Sequence, residues 1–218
     1  MRVDNNPAQL ADPRRPAFEL SLTGQPRSWQ LREHAYRCKG YGRARWGMTV
    51  AGIKAMIAAE FPDSLSSMKL DLDTHTFAPR LEVTVPSLSP GPGPARIVYQ
   101  FGGPALRLAE IHLHWVTHGD PSQEQRLPLV QAATRLAGEM LSYRWAGSST
   151  MRGAVRGPGA LLLFSGRDEN GGEVAISLEG VAFDVERQGV PGRPEHRPAP
   201  RGPAALKLSY LAGPPPAF

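Results

Sequence analysis

Cysteine is nearly absent from this chain: Cys38 is the only one in 218 residues. That excludes an internal disulfide, a CxxC redox pair and a multi-thiolate zinc site, and the polar, basic residues before it (LREHAYR) do not make a lipoprotein anchor. Long apolar runs are missing too. Nothing approaches the roughly 18 consecutive apolar residues of a membrane-spanning helix, and residues 1–30 lack the apolar stretch of a signal peptide. The chain as written is therefore expected to be soluble and cytoplasmic, or periplasmic if the true start lies upstream and supplies an export signal. Also missing are GxSxG, HExxH and the phosphate loop GxxxxGK followed by Ser or Thr, and GPGPAR lacks the last glycine of a dinucleotide loop.

What is present describes a globular body with many turns. Apolar residues make up 41% of the chain and charged residues 21%, enough for a sizeable core, while Gly 23 and Pro 22 predict a loop-rich protein. Of the 25 basic residues only four are Lys, which with the abundance of Ala, Gly and Pro points to a GC-rich bacterial source. The net charge of +5 is not spread evenly. Residues 1–45 hold nine Lys/Arg against four Asp/Glu, and residues 46–218 hold sixteen of each. The excess belongs to a basic, mostly irregular N-terminal segment attached to a neutral body.

Hydrophobic periodicity sets out the body. After a short strand expected at Phe18–Leu22, Thr49 is a helix N-cap, and Val50, Ile53, Met56, Ile57 and Phe61 share one helical face before Pro62 ends the run. Leu81–Val85, Arg96–Phe101 and Leu108–Val116 alternate as strands. A second helical stripe follows at Leu129, Ala133, Leu136, Ala137, Met140 and Leu141, with Pro128 placed near its first turn. Strands at Ala160–Phe164, Glu173–Leu178 (continuing past Gly180 as VAFDV) and Ala205–Leu211 complete the chain. The expected fold is α+β: two helix-plus-three-strand halves with antiparallel sheets, 46–119 and 120–218, the second carrying a Pro/Arg-rich loop at 187–203.

WGMTVAGIKAMI followed by VYQFGGPALRLAEIHL resembles the repeat of the beta-lactamase-inhibitor-protein fold and of the small lipoproteins of outer-membrane assembly, and LSYRW and the strands after it continue in a similar order. The resemblance spans about residues 46–211. It implies helices packed on short antiparallel sheets and a role in docking another protein. The whole chain also resembles alphaproteobacterial proteins of no assigned activity, a likeness that implies no chemistry.

Four constellations bear on function. His112, His114 and His118 stand in EIHLHWVTHGD; on a strand the first two share a face, and the third could fold back from the turn to complete a metal site. HxHW resembles the ligand strand of the alpha carbonic anhydrases and the HxH of cupins, but the nearest further histidine is His196, in the Pro-rich loop. A strand whose Ile111, Leu113 and Trp115 face the core needs polar alternates in any case, and the histidines supply them. Asp71, Asp73 and His75, with Gly119, Asp120 and Glu124, resemble the DxD and later GDxxx-acid of haloacid-dehalogenase phosphatases; without an apolar strand before Asp71, an acidic turn is the better reading.

The third is basic and aromatic: Arg27, Arg32, Arg37, Lys39, Arg43 and Arg45 interleave with Trp29, Tyr36, Tyr41 and Trp46, a mixture that can hold phosphates and stack bases, or that pins a connector to the body. The fourth is the 187–203 loop, whose five Pro and four Arg suit presentation to a partner or mark a surface insertion. The sequence thus favours a non-enzymatic protein-binding module without catalytic, cofactor or metal residues, its sheet face or proline-rich loop engaging another protein. The alternatives are a metal-dependent protein using His112, His114 and His118, and nucleic-acid binding through the N-terminal segment.

Overall fold

A computed structural model describes residues 18–21, 34–74, 77–147, 149–187 and 195–214. The first strand, β1 (Phe18–Ser21), is followed by a two-residue hairpin, β2 (Gly40–Tyr41) and β3 (Ala44–Arg45). Helix α1 (Val50–Glu60) starts where the sequence requires: the Thr49 side chain accepts from the Gly52 amide at 3.1 Å, and Ile53, Met56 and Ile57 are buried. A 3-10 turn (Pro62–Ser67) leads into β4 (Lys69–Leu72), β5 (Pro79–Val85), β6 (Ala95–Gly102) and β7 (Arg107–Val116).

Helix α2 (Gln123–Leu141) begins earlier than its apolar stripe predicts. Ser122 and Gln125 form a reciprocal capping box, and Pro128 lies inside the helix rather than in its first turn. The exposed Pro128 leaves the carbonyl it cannot reach to water, so the strong cap decides the start. Strands β8 (Met151–Gly157), β9 (Ala160–Arg167), β10 (Glu173–Glu179), β11 (Phe183–Arg187), β12 (Glu195–Arg197) and β13 (Ala205–Leu211) follow.

One antiparallel sheet of eight strands dominates, in the order β4-β5-β6-β7-β13-β10-β9-β8. The protein is a mixed α+β structure, mostly sheet, and none of its described helices is long and apolar enough to cross a membrane. Both helices contribute to a single core with Leu81, Ile97, Ile111, Leu113, Trp115, Phe164, Ile176 and Leu208, whose side chains alternate onto one sheet face. Three expectations are corrected. The edge strand β4 stands where the sequence suggests an acidic turn, and β8 where it offers no sustained alternation. The VAFDV segment does not continue β10: at Gly180 the chain turns with φ +69 against the Pro203 carbonyl, too close for any Cβ, and β11 pairs instead with β1 and β12. The stretch 187–203 is also not all loop, since β12 lies in it, while 188–194 fall outside the described residues.

Two side chains with several partners tie distant segments to this frame. Arg126, only 5% exposed, donates to the carbonyls of Pro121 (2.8 Å), Pro200 and Gly202 (each 3.3 Å) and Gly180, and to the Asp120 carboxylate (2.8 Å). It fastens the chain between β12 and β13 to the start of α2. The buried Asp168 carboxylate accepts from the amides of Cys38 (2.7 Å), Asn170 (2.8 Å) and Gly172 (2.9 Å), clamping the N-terminal segment to the β9–β10 turn.

Candidate functional site

The sheet face turned away from the core is polar, and its centre is β7 with its neighbours. Alternation sends Ile111, Leu113 and Trp115 into the core, all fully buried, and leaves Glu110, His112 and His114 on the other face. Register then fixes their neighbours: His112 lies between Val98 of β6 and Ser209 of β13, His114 between Arg96 and Lys207, and Glu110 beside Gln100.

His112 is fully engaged. Its Nδ1 meets Ser209 Oγ at 2.9 Å, and its Nε2 meets Gln100 Oε1 at 2.8 Å and Glu110 Oε2 at 2.9 Å. A carboxylate oxygen can only accept, so Nε2 carries the proton and donates. The same hydrogen bond from His112 holds the Glu110 carboxyl below the usual carboxylate range. His114 behaves differently: burial, then the charges of Arg96, Lys207, His112 and Arg80, lower its pKa to about 4, so it is neutral near pH 7. Arg96, His114 and Lys207 thus form a row across three strands in which two cations flank a neutral imidazole. Arg96 reaches Glu82 at 3.7 Å, and among the described residues Lys207 has no ion-pair partner.

Ser209, His112 and Glu110 make a hydroxyl–imidazole–carboxylate chain, the components of a nucleophile relay. What they lack, among the described residues, is an oxyanion-binding site. Ser209 is 7% exposed on a strand paired along its whole length with β7 and β10, so the surrounding amides are committed to the ladder and cannot receive an oxyanion. The arrangement braces three strands through side chains.

The three histidines do not converge. The His112 and His114 rings are 6.3 Å apart at 62°, both His112 nitrogens are occupied, and His118 is exposed past the end of β7. Among the described residues no group of three His, Cys, Asp or Glu side chains is placed to hold a metal. The DxD reading is dispersed as well: Asp71 is exposed on the edge strand β4, separated from β7 by β5 and β6, while Asp120, just after β7, serves Arg126 and the Gly202 amide, and His75 lies outside the described residues.

The aromatics of the basic segment are turned inward where they are described. Tyr36 stacks on Trp145 at 4.5 Å, Tyr41 packs on Tyr210 at 5.5 Å, and Trp46 Nε1 donates to the Cys38 carbonyl at 2.6 Å. Burial pushes the Cys38 thiol up to about 11. Arg27, Trp29 and Arg32 fall outside the described residues. No family model, curated protein or solved structure matches this chain.

Sequence reasoning put the histidines on the outer face but missed the polar partners from other strands. Gln100, Glu110, Ser209 and Lys207 carry no motif, and only the β6-β7-β13 order brings them together.

Proposed function

We propose that this chain is a non-enzymatic protein-binding module whose polar sheet face receives an acidic segment of another protein along the Arg96, His114 and Lys207 row. One observation carries the reading: helices pack on one face of the eight-stranded sheet, and on the other Arg80, Arg96 and Glu110 keep side-chain exposures of 38–44%. A wide sheet face set with ordered charges suits a partner surface better than a small substrate.

The proposal includes the repeat. Residues 46–119 and 120–218 are two copies of one plan: each has a hydroxyl-capped helix followed by antiparallel strands, Thr49 before α1 and Ser122 before α2, and they meet where β7 pairs with β13. Such a doubled helix-and-sheet plan agrees with the resemblance to beta-lactamase-inhibitor-protein-like repeats and with the docking role that it implies. The stacking of Tyr36 and Tyr41 on the body favours this reading over nucleic-acid binding.

Affinity purification with mass spectrometry tests it, comparing the parent chain with the doubly charge-reversed Arg96→Glu/Lys207→Glu. A protein retained by the parent and lost by the variant supports the reading. Equal retention by both, or retention by neither, refutes it.

A further inference from the structure

The sheet ends at β4 with its outer edge unpaired among the described residues, and this edge has an unusual composition. Leu70 lies opposite the fully buried Leu81, so it belongs to the core face, yet it is 47% exposed; Leu72, on the same side, is 61% exposed. Leu81, Val83 and Val85 of β5, against which the 3-10 turn packs, are completely buried, but the apolar cover stops there and every residue of β4 is exposed. The segments entering and leaving β4 add Leu65 and Phe77, 41% and 74% exposed.

The charges on the other face of β4 are also uncommitted. Lys69 and Asp71 face Glu82 and Arg80 of β5, but those two pair with each other at 2.9 Å, and Glu82 also meets Arg96. Among the described residues neither Lys69 nor Asp71 has an ion-pair partner.

We propose that β4 pairs antiparallel with the β4 of a second copy of this chain, in a register centred on Leu70, joining two eight-stranded sheets into one. In that register Leu70 meets its own counterpart, Leu72 meets Met68, and Lys69 and Asp71 of each copy lie opposite Asp71 and Lys69 of the other. The register is selected by charge. Pairing that keeps both cores on one side must centre on residue 69, 70 or 71, and centring on 69 or 71 sets Lys against Lys or Asp against Asp. Charges that guard an edge repel a second copy in every register; here one register turns them into two ion pairs and two apolar contacts of Leu72 with Met68 around the Leu70 pair. A four-residue strand makes a small interface, so the dimer belongs to the weak, concentration-dependent class. The inference uses a different surface from the partner-binding face and does not depend on it.

Sedimentation velocity over a concentration series tests it on the full chain, with Lys69→Asp, Asp71→Lys and the double swap. The parent should move from monomer to dimer as concentration rises. Each single substitution sets like charges opposite one another and should weaken association about tenfold or more, since two attractive contacts become two repulsive ones. The double swap regenerates both pairs and should associate as the parent does. All positions are exposed, and thermal melts confirm that each variant folds. A parent that stays monomeric into the millimolar range, single variants that dimerise as the parent does, or a double swap no better than the singles would each overturn the proposal. The Arg96→Glu/Lys207→Glu variant should dimerise normally, so loss of partner capture and loss of self-pairing are read separately.

Discussion

Replacing Arg126 with Met removes a guanidinium from a buried cluster of oxygens while keeping most of the apolar stem that fills the space. Five acceptors lose the guanidinium: the carbonyls of Pro121, Gly180, Pro200 and Gly202, and Asp120 Oδ1, which keeps the Gly202 amide. They do not lose equally. Asp120 is 57% exposed and regains water, as Pro200 and Gly202 do in part, whereas Gly180 is buried with the Arg126 head and stays orphaned together with the Pro121 carbonyl. At about 1–3 kcal/mol for each buried acceptor left unsatisfied, the expected loss is about 3–5 kcal/mol, a large part of the stability of an ordinary domain. Asp120→Asn, which discharges only the exposed partner, should cost under about 1 kcal/mol. Urea denaturation followed by tryptophan fluorescence measures both, and hydrogen exchange should show the Gly202 and Ala204 amides losing protection in Arg126→Met, because the chain before β13 is released. A cost below about 1 kcal/mol for Arg126→Met, or equal costs for the two variants, would refute the view that this arginine pins the chain before β13 to the start of α2.

Asp168→Ala strips three amides of their acceptor and should lower stability by about 1–3 kcal/mol while speeding the reaction of Cys38 with a disulfide reagent; an unchanged thiol rate would show that the clamp does not hold the segment. A Cβ at Gly91 would lie on the fully buried Trp115 indole, whose Nε1 donates to the Leu88 carbonyl at 3.1 Å, so Gly91→Ala should cost about 1–3 kcal/mol and alter the near-ultraviolet dichroism, and an unmoved midpoint would contradict this. His114, with its pKa lowered to about 4, refuses a proton that the unfolded chain accepts near pH 6.5, so stability falls as pH drops from about 6.5 to 4 and is unaffected by this group above that window. In His114→Asn that fall should shrink by on the order of 1 kcal/mol once solvent screening of a half-buried ring is allowed for, and identical pH profiles would rule the effect out.

The core was legible in the sequence wherever alternation ran long. Ile111, Leu113 and Trp115, or Leu206 and Leu208, announce a half-buried strand because a period of two sustained over six or more residues has few other causes. Lys69–Leu72 is as regular, but four residues with two charges look the same as an acidic turn, and β8 carries Gly153 in its middle, so both edges of the sheet were hidden. The start of α2 lies outside its apolar stripe: that stripe begins at Leu129, after Pro128, while the Ser122–Gln125 capping box that sets the start carries no apolar residue. Arg126 could not be found by pattern: an arginine in the first turns of a helix is ordinarily solvated, and its partners come from three separate loops. The polar face was half legible, since His112 and His114 were expected on it while the cross-strand partners that occupy or discharge them depend on strand order.

The two edges of the sheet are not equivalent, and this bears on how self-pairing ends. At one edge β1, paired with β11 in the smaller sheet, lies close to β8, and a strand added there would meet it. At the other edge β4 has no strand on its outer side among the described residues. If both edges were open, β4 of one copy could pair with β8 of the next, and a head-to-tail contact of that kind has no reason to stop; it builds a ribbon. When β4 pairs with β4, the same edge serves both partners, the contact is two-fold symmetric, and it closes at two copies. The residues agree with that geometry, because a strand that pairs with itself needs opposite charges placed symmetrically about its centre, as Lys69 and Asp71 are about Leu70. Exposed leucines at an edge strand are then compatible with a protein that does not aggregate, provided β1 stays in place. Deleting residues 1–21 should therefore leave the β4 dimer and add larger species to it.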